Sequence, residues 1–383
     1  MRLDSITTMA PHLIERLEHF RNITMAHPRL VEARDKLVDA IDGAAPGSLV
    51  LVLGPTGVGK TTLRMKVENL LMQQMAAAMA ADPGRIPFVS TEVVPPDTGR
   101  FRWRDYFSRL LAAMNEPLID FKTLRGADRT GVLNTLPSSV GGRELGYAVE
   151  QALRYRRPPV VFVDEAQHLA RIASGRRLSD QLDVIKSIAN RTETVHVLLG
   201  TYELLAFRNL SAQLSRRSID LHFQRYRAES AEDRQVFRSV LLTFQKQLPF
   251  AEVEMDLMAT WEFLYERSIG CVGILKEWLM RACVRAIKHG AVTLSPEHLE
   301  KTALSASQCE KVLAESREGE TRLNDDAHAR LRLRTLLGIQ PRASGEVPSE
   351  PKQIAAFRNR TKRRPGQRAP QRDLIEERTQ VYA

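Results

Sequence analysis

One stretch of the chain combines residue types that can hold phosphate. The residues GPTGVGKT, from Gly54 to Thr61, fit the pattern G-x-x-x-x-G-K-[ST] at every fixed position. Glycines let a backbone curl so that its N–H groups point into one hollow, and a following helix adds its positive end. In such a loop Lys60 reaches the β- and γ-phosphates of a nucleotide, and Thr61 offers its hydroxyl to Mg²⁺. We therefore predict ATP and Mg²⁺ as cofactors. The predicted nucleotide contacts are Gly54, Pro55, Thr56, Gly57, Val58, Gly59, Lys60, Thr61 and Thr62.

A pair of acids follows a second apolar run. In PPVVFVDEAQHL the run ends at Asp164 and Glu165. Beside a phosphate loop, the end of a parallel strand is where a carboxylate linked to Mg²⁺ is needed, and Asp164 fits that role. Glu165, one residue on, can polarise an attacking water. The alternative is an exposed acidic pair at a strand terminus, but the complete phosphate loop upstream favours the catalytic interpretation.

Four further residues are candidates with open alternatives. Thr201 follows the apolar run VHVLLG and could sense the γ-phosphate or orient the water, although threonine after a strand is often a helix cap. Arg216 and Arg217 either stabilise a helix C-terminus or form an arginine finger aimed at a neighbouring subunit's nucleotide. Lys276 lies three residues after Gly273, on a helix that could lean over the phosphates.

The pattern around these residues predicts the elements that position them. Leu49–Leu53 reads as a strand buried on both faces, and IPFVSTEV, PPVVFVDEA, TVHVLLGT and LHFQRY as further strands alternating with helices. This alternation predicts a three-layer α/β/α domain with a mainly parallel sheet, followed by a small all-helical lid. We predict an N-terminal helical segment over 1–45, the α/β domain over 46–228, the lid over 229–305 and a charged tail over 306–383, helical and then disordered and basic.

The composition of the chain indicates its kind of partner and its cellular compartment. The chain has 383 residues and a net charge of +10, which favours a polyanionic partner. Cys271, Cys283 and Cys309 show no C-x-x-C pairing, so we expect neither a disulfide framework nor a cysteine metal site. The first thirty residues lack the apolar core of a signal peptide, and no run approaches a membrane span. We expect a cytoplasmic protein with no membrane partner.

The order of these motifs resembles the AAA+ ATPases, and within them the TniB/TnsC-type ATPases of transposons, distant relatives of MuB. The stretches that carry the likeness are HPRLVEARDKL, GRFRWRDYFSRLL, VVFVDEAQHL, LLGTYEL and SIGCVGILKEWLMRAC. The resemblance runs from about residue 25 to about residue 305. It assigns Thr201 to the first sensor position, Arg216 or Arg217 to the finger, and Lys276 to the second sensor position. Many AAA+ proteins have arginine at that last position, and lysine cannot make the bidentate contact to two oxygens that a guanidinium group makes.

The resemblance implies an ATP-dependent regulator of transposition. Such proteins form ring-like or helical homo-oligomers around double-stranded DNA. They recruit the transposase and communicate to it the target site that a target-selection protein has chosen. In TGRFRWRDY, arginines alternate with Phe101 and Trp103 and could grip DNA phosphates, or the aromatics could lie in the core with the arginines merely solvated. The candidate DNA contacts are Arg100, Arg102, Arg104, Lys122 and Arg125. The competing hypotheses are a small-molecule P-loop kinase and a signalling NTPase that binds only protein partners.

Overall fold

The computed structural model describes residues 11–95, 101–123, 141–171, 176–208, 218–250, 256–323 and 327–339. The chain divides into two compact units, residues 1–324 and 325–383. The domain boundaries predicted at 45, 228 and 305 all lie inside the first unit and stay predictions. In the second unit the described part contains one helix, Ala327–Leu336.

The first unit is built on a five-stranded sheet in the order β2-β3-β4-β1-β5, and every neighbouring pair is parallel. The strands are β1 Leu49–Leu53, β2 Val89–Glu92, β3 Val160–Asp164, β4 Val195–Gly200 and β5 Ser218–His222. Parallel pairing aligns the carboxyl ends of β1, β3 and β4 along one edge. The phosphate loop, the acid pair and Thr201 leave the sheet at that edge.

Helices cover both faces of the sheet and form a separate layer after it. Numbered in chain order, they are α1 Pro11–Asn22, α2 Pro28–Asp42, α3 Lys60–Gln74, α4 Ala76–Ala81, α5 Trp103–Ala113, α6 Gly141–Arg156, α7 Gln167–Arg171, α8 Arg176–Thr192, α9 Leu205–Arg208, α10 Ala231–Gln247, α11 Trp261–Ser268, α12 Val272–Lys288, α13 Pro296–Glu300, α14 Ala306–Leu323 and α15 Ala327–Leu336. Short 3₁₀ turns occupy Ile119–Thr123 and Tyr202–Leu204. No helix among the described residues is both long and apolar enough to cross a membrane.

Alternate residues of β1 enter two different cores. Leu49, Leu51 and Leu53 pack with residues of α5, α6 and α8 on one face. Val50 and Val52 pack with α2 and α3 on the other. All five side chains are buried, as expected for a central parallel strand. The three-layer α/β/α prediction is confirmed.

A third core belongs to the helices after the sheet. It is centred on α10 and α12, where Phe237, Phe244 and Trp278 are fully buried. Leu17 and Phe20 of α1 enter this core, whereas α2 packs on the sheet. The N-terminal segment therefore contributes one helix to each layer. The predicted helical lid is confirmed as an all-helical layer.

One predicted strand is displaced. The pattern placed the last strand at LHFQRY, residues 221–226, but β5 spans Ser218–His222. The partner explains the shift, because β1 ends at Leu53, which is opposite His222. Beyond that point the chain turns toward the helices, and the N–H of Tyr226 donates to the carbonyl of Gly270 at 3.0 Å.

Candidate active site

The phosphate loop lies between β1 and α3, as predicted. Gly57 and Gly59 have φ values of +73° and +112°, a region that other residues rarely adopt. Gly59 is the N-cap of α3 and has no side chain to satisfy the first helical N–H groups. These donors and the positive end of a fifteen-residue helix suit an anion.

Lys60 is buried inside the loop that precedes it. Its Nζ donates to the carbonyl oxygens of Gly54 at 3.0 Å and Pro55 at 2.9 Å. Burial lowers the pKa of Lys60 to about 8, although the nearby carboxylates of Glu165 and Asp164 oppose that change. A bound phosphate would stabilise the charged form of this lysine.

Asp164 ends β3 with its carboxylate buried and oriented from two sides. Its Oδ1 accepts the N–H of Glu165 at 2.9 Å, and its Oδ2 accepts Nε of Arg64 at 3.2 Å. Arg64 also donates to Glu68 at 2.5 Å and to Ser90. Arg64 was missed in the sequence, although it lies one helical turn after Lys60 and so faces the same side of α3.

The carboxylate of Asp164 and the hydroxyl of Thr61 are hard oxygen donors of the kind that Mg²⁺ prefers. Asp164 is nearly fully buried, whereas Thr61 is exposed at the start of α3. Two protein oxygens are enough for Mg²⁺, which keeps several of its waters. These residues therefore fit the ion, which would neutralise charge on a bound triphosphate.

Glu165 follows Asp164 directly after β3, and Thr201 follows the end of the neighbouring strand β4. Glu165 has a φ of +51°, which is unusual for a residue with a side chain and marks a tightly held turn. Oγ1 of Thr201 is buried and has no hydrogen-bond partner among the described residues. A buried hydroxyl without a partner is costly, and a phosphate oxygen or an ordered water could satisfy it.

Lys276 lies beside the phosphate loop but its ammonium points to the N-terminal segment. Its Nζ donates to the carbonyls of Arg21 at 2.8 Å and Ile23 at 2.6 Å. Partial burial lowers its pKa. Lys276 thus ties α12 to the last turn of α1 and the residue after that helix, and does not reach over the phosphates.

The start of α12 is docked directly on the phosphate loop. The N–H of Ile274 donates to the carbonyl of Gly57 at 3.2 Å, and a Cβ added at Gly273 would lie 2.4 Å from the same oxygen. A small cavity beside Gly59 is lined by Ile23, Thr24, Met25 and His27 and by the first turn of α12.

A buried ion pair joins α14 to the chain after β5. Nε of Arg225 lies 3.0 Å from Oε1 of Glu320, and both side chains are at most 7% exposed. Arg227 adds a second contact to Glu320 at 3.2 Å. Nothing local in the sequence signals this pairing, because the partners are 95 residues apart.

The candidate DNA contacts differ in their exposure to solvent and in whether they are already paired. Phe101 and Trp103 pack against the core of the sheet domain, while Arg102 is exposed and Arg104 half-buried at the start of α5. Lys122 is paired with Glu116 at 3.2 Å. Four of the predicted residues lie outside the described residues: Arg100, Arg125, Arg216 and Arg217.

Together, the parallel sheet, the phosphate loop after β1, the acid pair after β3 and the docked helical layer define a P-loop ATPase of the AAA+ class. Residues 45–207 match the model of a family described as an AAA domain, which confirms the prediction of an ATPase. A search of curated protein sequences gives no significant match.

Solved structures with a similar fold include three origin-recognition proteins. The ORC2 protein of Aeropyrum pernix in ADPNP–ADP complexes is 16% identical, with 75% of this chain and 72% of that chain covered and a TM-score of 0.47. The ORC1 protein of A. pernix in complex with DNA is 18% identical, with 82% and 73% covered and a TM-score of 0.46. Drosophila ORC bound to DNA is 13% identical, with 87% and 84% covered and a TM-score of 0.42.

Proposed function

We propose that this ATPase assembles on double-stranded DNA in its ATP-bound state and regulates transposition. It recruits a transposase to the site that a target-selection protein has chosen. Within the site, Lys60 meets the β- and γ-phosphates, Thr61 and Asp164 hold Mg²⁺, and Glu165 polarises the attacking water. Thr201 senses the γ-phosphate. Arg216 or Arg217 supplies a finger to a neighbouring subunit in a cytoplasmic homo-oligomer.

The observation that carries the DNA role is the position of the start of α5, with Arg102 and Arg104, near the nucleotide site. Glu92 at the end of β2 is opposite Asp164, and the N–H of Val93 donates to the carbonyl of Asp164 at 3.0 Å. The chain then leads to Arg102 and Arg104. Val93 and Arg102 line the same cavity, so this helix start lies beside the strand end that contacts Asp164. This geometry favours DNA contact that depends on nucleotide.

Charge and motif support the same proposal. The net charge of +10 favours a polyanion. The segment GRFRWRDYFSRLL is among those that resemble TniB/TnsC-type ATPases. Arg102 lies 4.0 Å from Asp105, and its side chain is 55% exposed, so this ion pair is weak and leaves the guanidinium accessible to phosphate. The packed aromatics Phe101 and Trp103 hold the arginines on a rigid base.

The test is DNA binding measured by fluorescence anisotropy at several salt concentrations, with an unhydrolysed ATP analogue and a duplex of mixed sequence. We expect binding only with the analogue, and a steep salt dependence through counterion release. The double variant Arg102→Ala/Arg104→Ala should lower affinity for all sequences alike and flatten the logarithmic salt slope by about 2.

The matched control removes two charges elsewhere. Arg238 and Arg281 are exposed on α10 and α12, and their double replacement by alanine should leave the slope unchanged. An unchanged slope in the Arg102/Arg104 variant would show that these arginines do not touch phosphate. ATP hydrolysis without any DNA binding would instead favour a signalling NTPase with protein partners only.

A further inference from the structure

A buried amide connects two parts of the active site. Gln167, the first residue of α7, is 3% exposed. Its Nε2 donates to Oε2 of Glu165, and its Oε1 accepts the backbone N–H of Thr201 at 3.3 Å. One side chain therefore contacts both the acid that follows β3 and the residue that follows β4.

The chemistry of the two partners fixes which way this amide faces. A backbone N–H can only donate, so the oxygen of Gln167 must face Thr201. The amide nitrogen then faces Glu165, whose ionised carboxylate can only accept. Both ends of the amide are matched in this orientation, and a flipped amide would leave both mismatched.

The backbone around the amide leaves it little freedom. A Cβ added at Gly200 would lie 2.5 Å from Oε1 of Gln167, so β4 passes the side chain in close contact. The N–H of Ala166 donates to the carbonyl of Leu199 at 2.9 Å, which ties the turn after β3 to the same strand. Movement of Thr201 would therefore be transmitted to Gln167.

We propose that Gln167 is a positioning residue for ATP hydrolysis, which orients the carboxylate of Glu165 and couples that orientation to Thr201. The buried Oγ1 of Thr201 has no partner among the described side chains and backbone, so contact with a phosphate oxygen would move or fix this residue. Gln167 would then carry the change to Glu165. This inference rests on the proposed role of Glu165, and the experiment separates the two.

The test compares steady-state ATP hydrolysis of the full chain in four forms. Gln167→Met keeps the length of the side chain but loses both hydrogen bonds, so kcat should fall about tenfold to a hundredfold with KM little changed, since only the orientation of a reacting group is lost. Gln167→Glu still accepts the N–H of Thr201 but places a second carboxylate against Glu165. The hydrogen bond that Gln167 donates is then replaced by repulsion between two carboxylates, so kcat should fall at least as far as in Gln167→Met, again with KM little changed.

Two further forms separate the possible outcomes. His168→Ala lies on the same short helix and should retain kcat, which controls for disturbance of α7. Glu165→Gln should hydrolyse ATP far more slowly while still binding it, and if it does not, the proposed role of Glu165 fails irrespective of Gln167. The inference about Gln167 is overturned if Gln167→Met retains full kcat, or if both Gln167 variants lose nucleotide affinity and thermal stability in proportion to activity.

Discussion

The active site has two sides that are built in opposite ways. The phosphate loop comes from one run of eight residues, Gly54–Thr61, and its buried lysine donates to carbonyls of that same run. The helical side is assembled from distant parts of the chain, with Lys276 on the carbonyls of Arg21 and Ile23 and Arg225 on Glu320. The first side depends on local backbone geometry, whereas the second depends on the packing of whole helices. Substitutions on the two sides should therefore separate nucleotide affinity from stability.

The largest effect is expected on the helical side, in the stability of the fold. Glu320→Ala leaves Arg225 buried without its carboxylate, and losing one partner of a buried pair costs about 3–5 kcal/mol. Equilibrium unfolding in urea measures this change. At a temperature where the variant remains folded, its affinity for ATP should change much less than its stability.

The matched control is on the same helix. Glu318 pairs with Arg322 on the surface of α14, with both side chains about 60% exposed. Exposed ion pairs contribute about 0–1 kcal/mol, so Glu318→Ala should be nearly neutral. Replacing Arg225 with Met and Glu320 with Leu together should recover much of the lost stability, because no buried charge is then left alone. Equal losses in Glu320→Ala and Glu318→Ala would contradict a structural role for the buried pair.

The second effect is expected on the phosphate loop, where a substitution should lower ATP affinity strongly and change stability little. Lys60→Ala removes the charge that meets the β- and γ-phosphates, and ATP affinity should fall about a hundredfold or more, equivalent to about 2.7 kcal/mol. Stability should change by less than about 1 kcal/mol, because the variant also removes a desolvated cation. Isothermal titration calorimetry measures the affinity.

Lys66, exposed on the same helix, supplies the control, and Lys66→Ala should bind ATP normally. If Lys60→Ala bound ATP as tightly as the unchanged protein, the loop would not be the nucleotide site. If instead it unfolded as readily as Glu320→Ala, the proposed contrast between the two sides would be wrong.

The same contrast explains which features the sequence could predict. The phosphate loop and the Asp164–Glu165 pair are contiguous, and each follows an apolar run typical of a buried strand, so local patterns were sufficient to predict them. Arg64 was within reach of helical spacing, one turn after Lys60. Gln167 stands in the quoted motif VVFVDEAQHL, but its role requires β4 to lie beside β3, which no local pattern reveals. The pairing of Arg225 with Glu320 depends entirely on tertiary packing.

The smallest effect concerns pH and sharpens the account of Lys60. Burial lowers the pKa of this lysine to about 8 in the nucleotide-free protein, and bound phosphates would raise it, because they favour the charged form. When the pKa of a group rises on ligand binding, its charge contributes fully to affinity at pH values below the pKa in the ligand-free protein. That contribution is lost as the pH rises toward and through the pKa in the bound protein. ATP affinity should therefore be constant below about pH 7 and fall about tenfold for each pH unit above about pH 8. Calorimetry in buffers of different ionisation enthalpy should detect proton uptake on binding in that range. Lys60→Arg keeps its charge at these pH values, so its affinity, whatever its size, should show no such slope. A flat profile in the unchanged protein would mean that Lys60 is already fully charged before nucleotide binds.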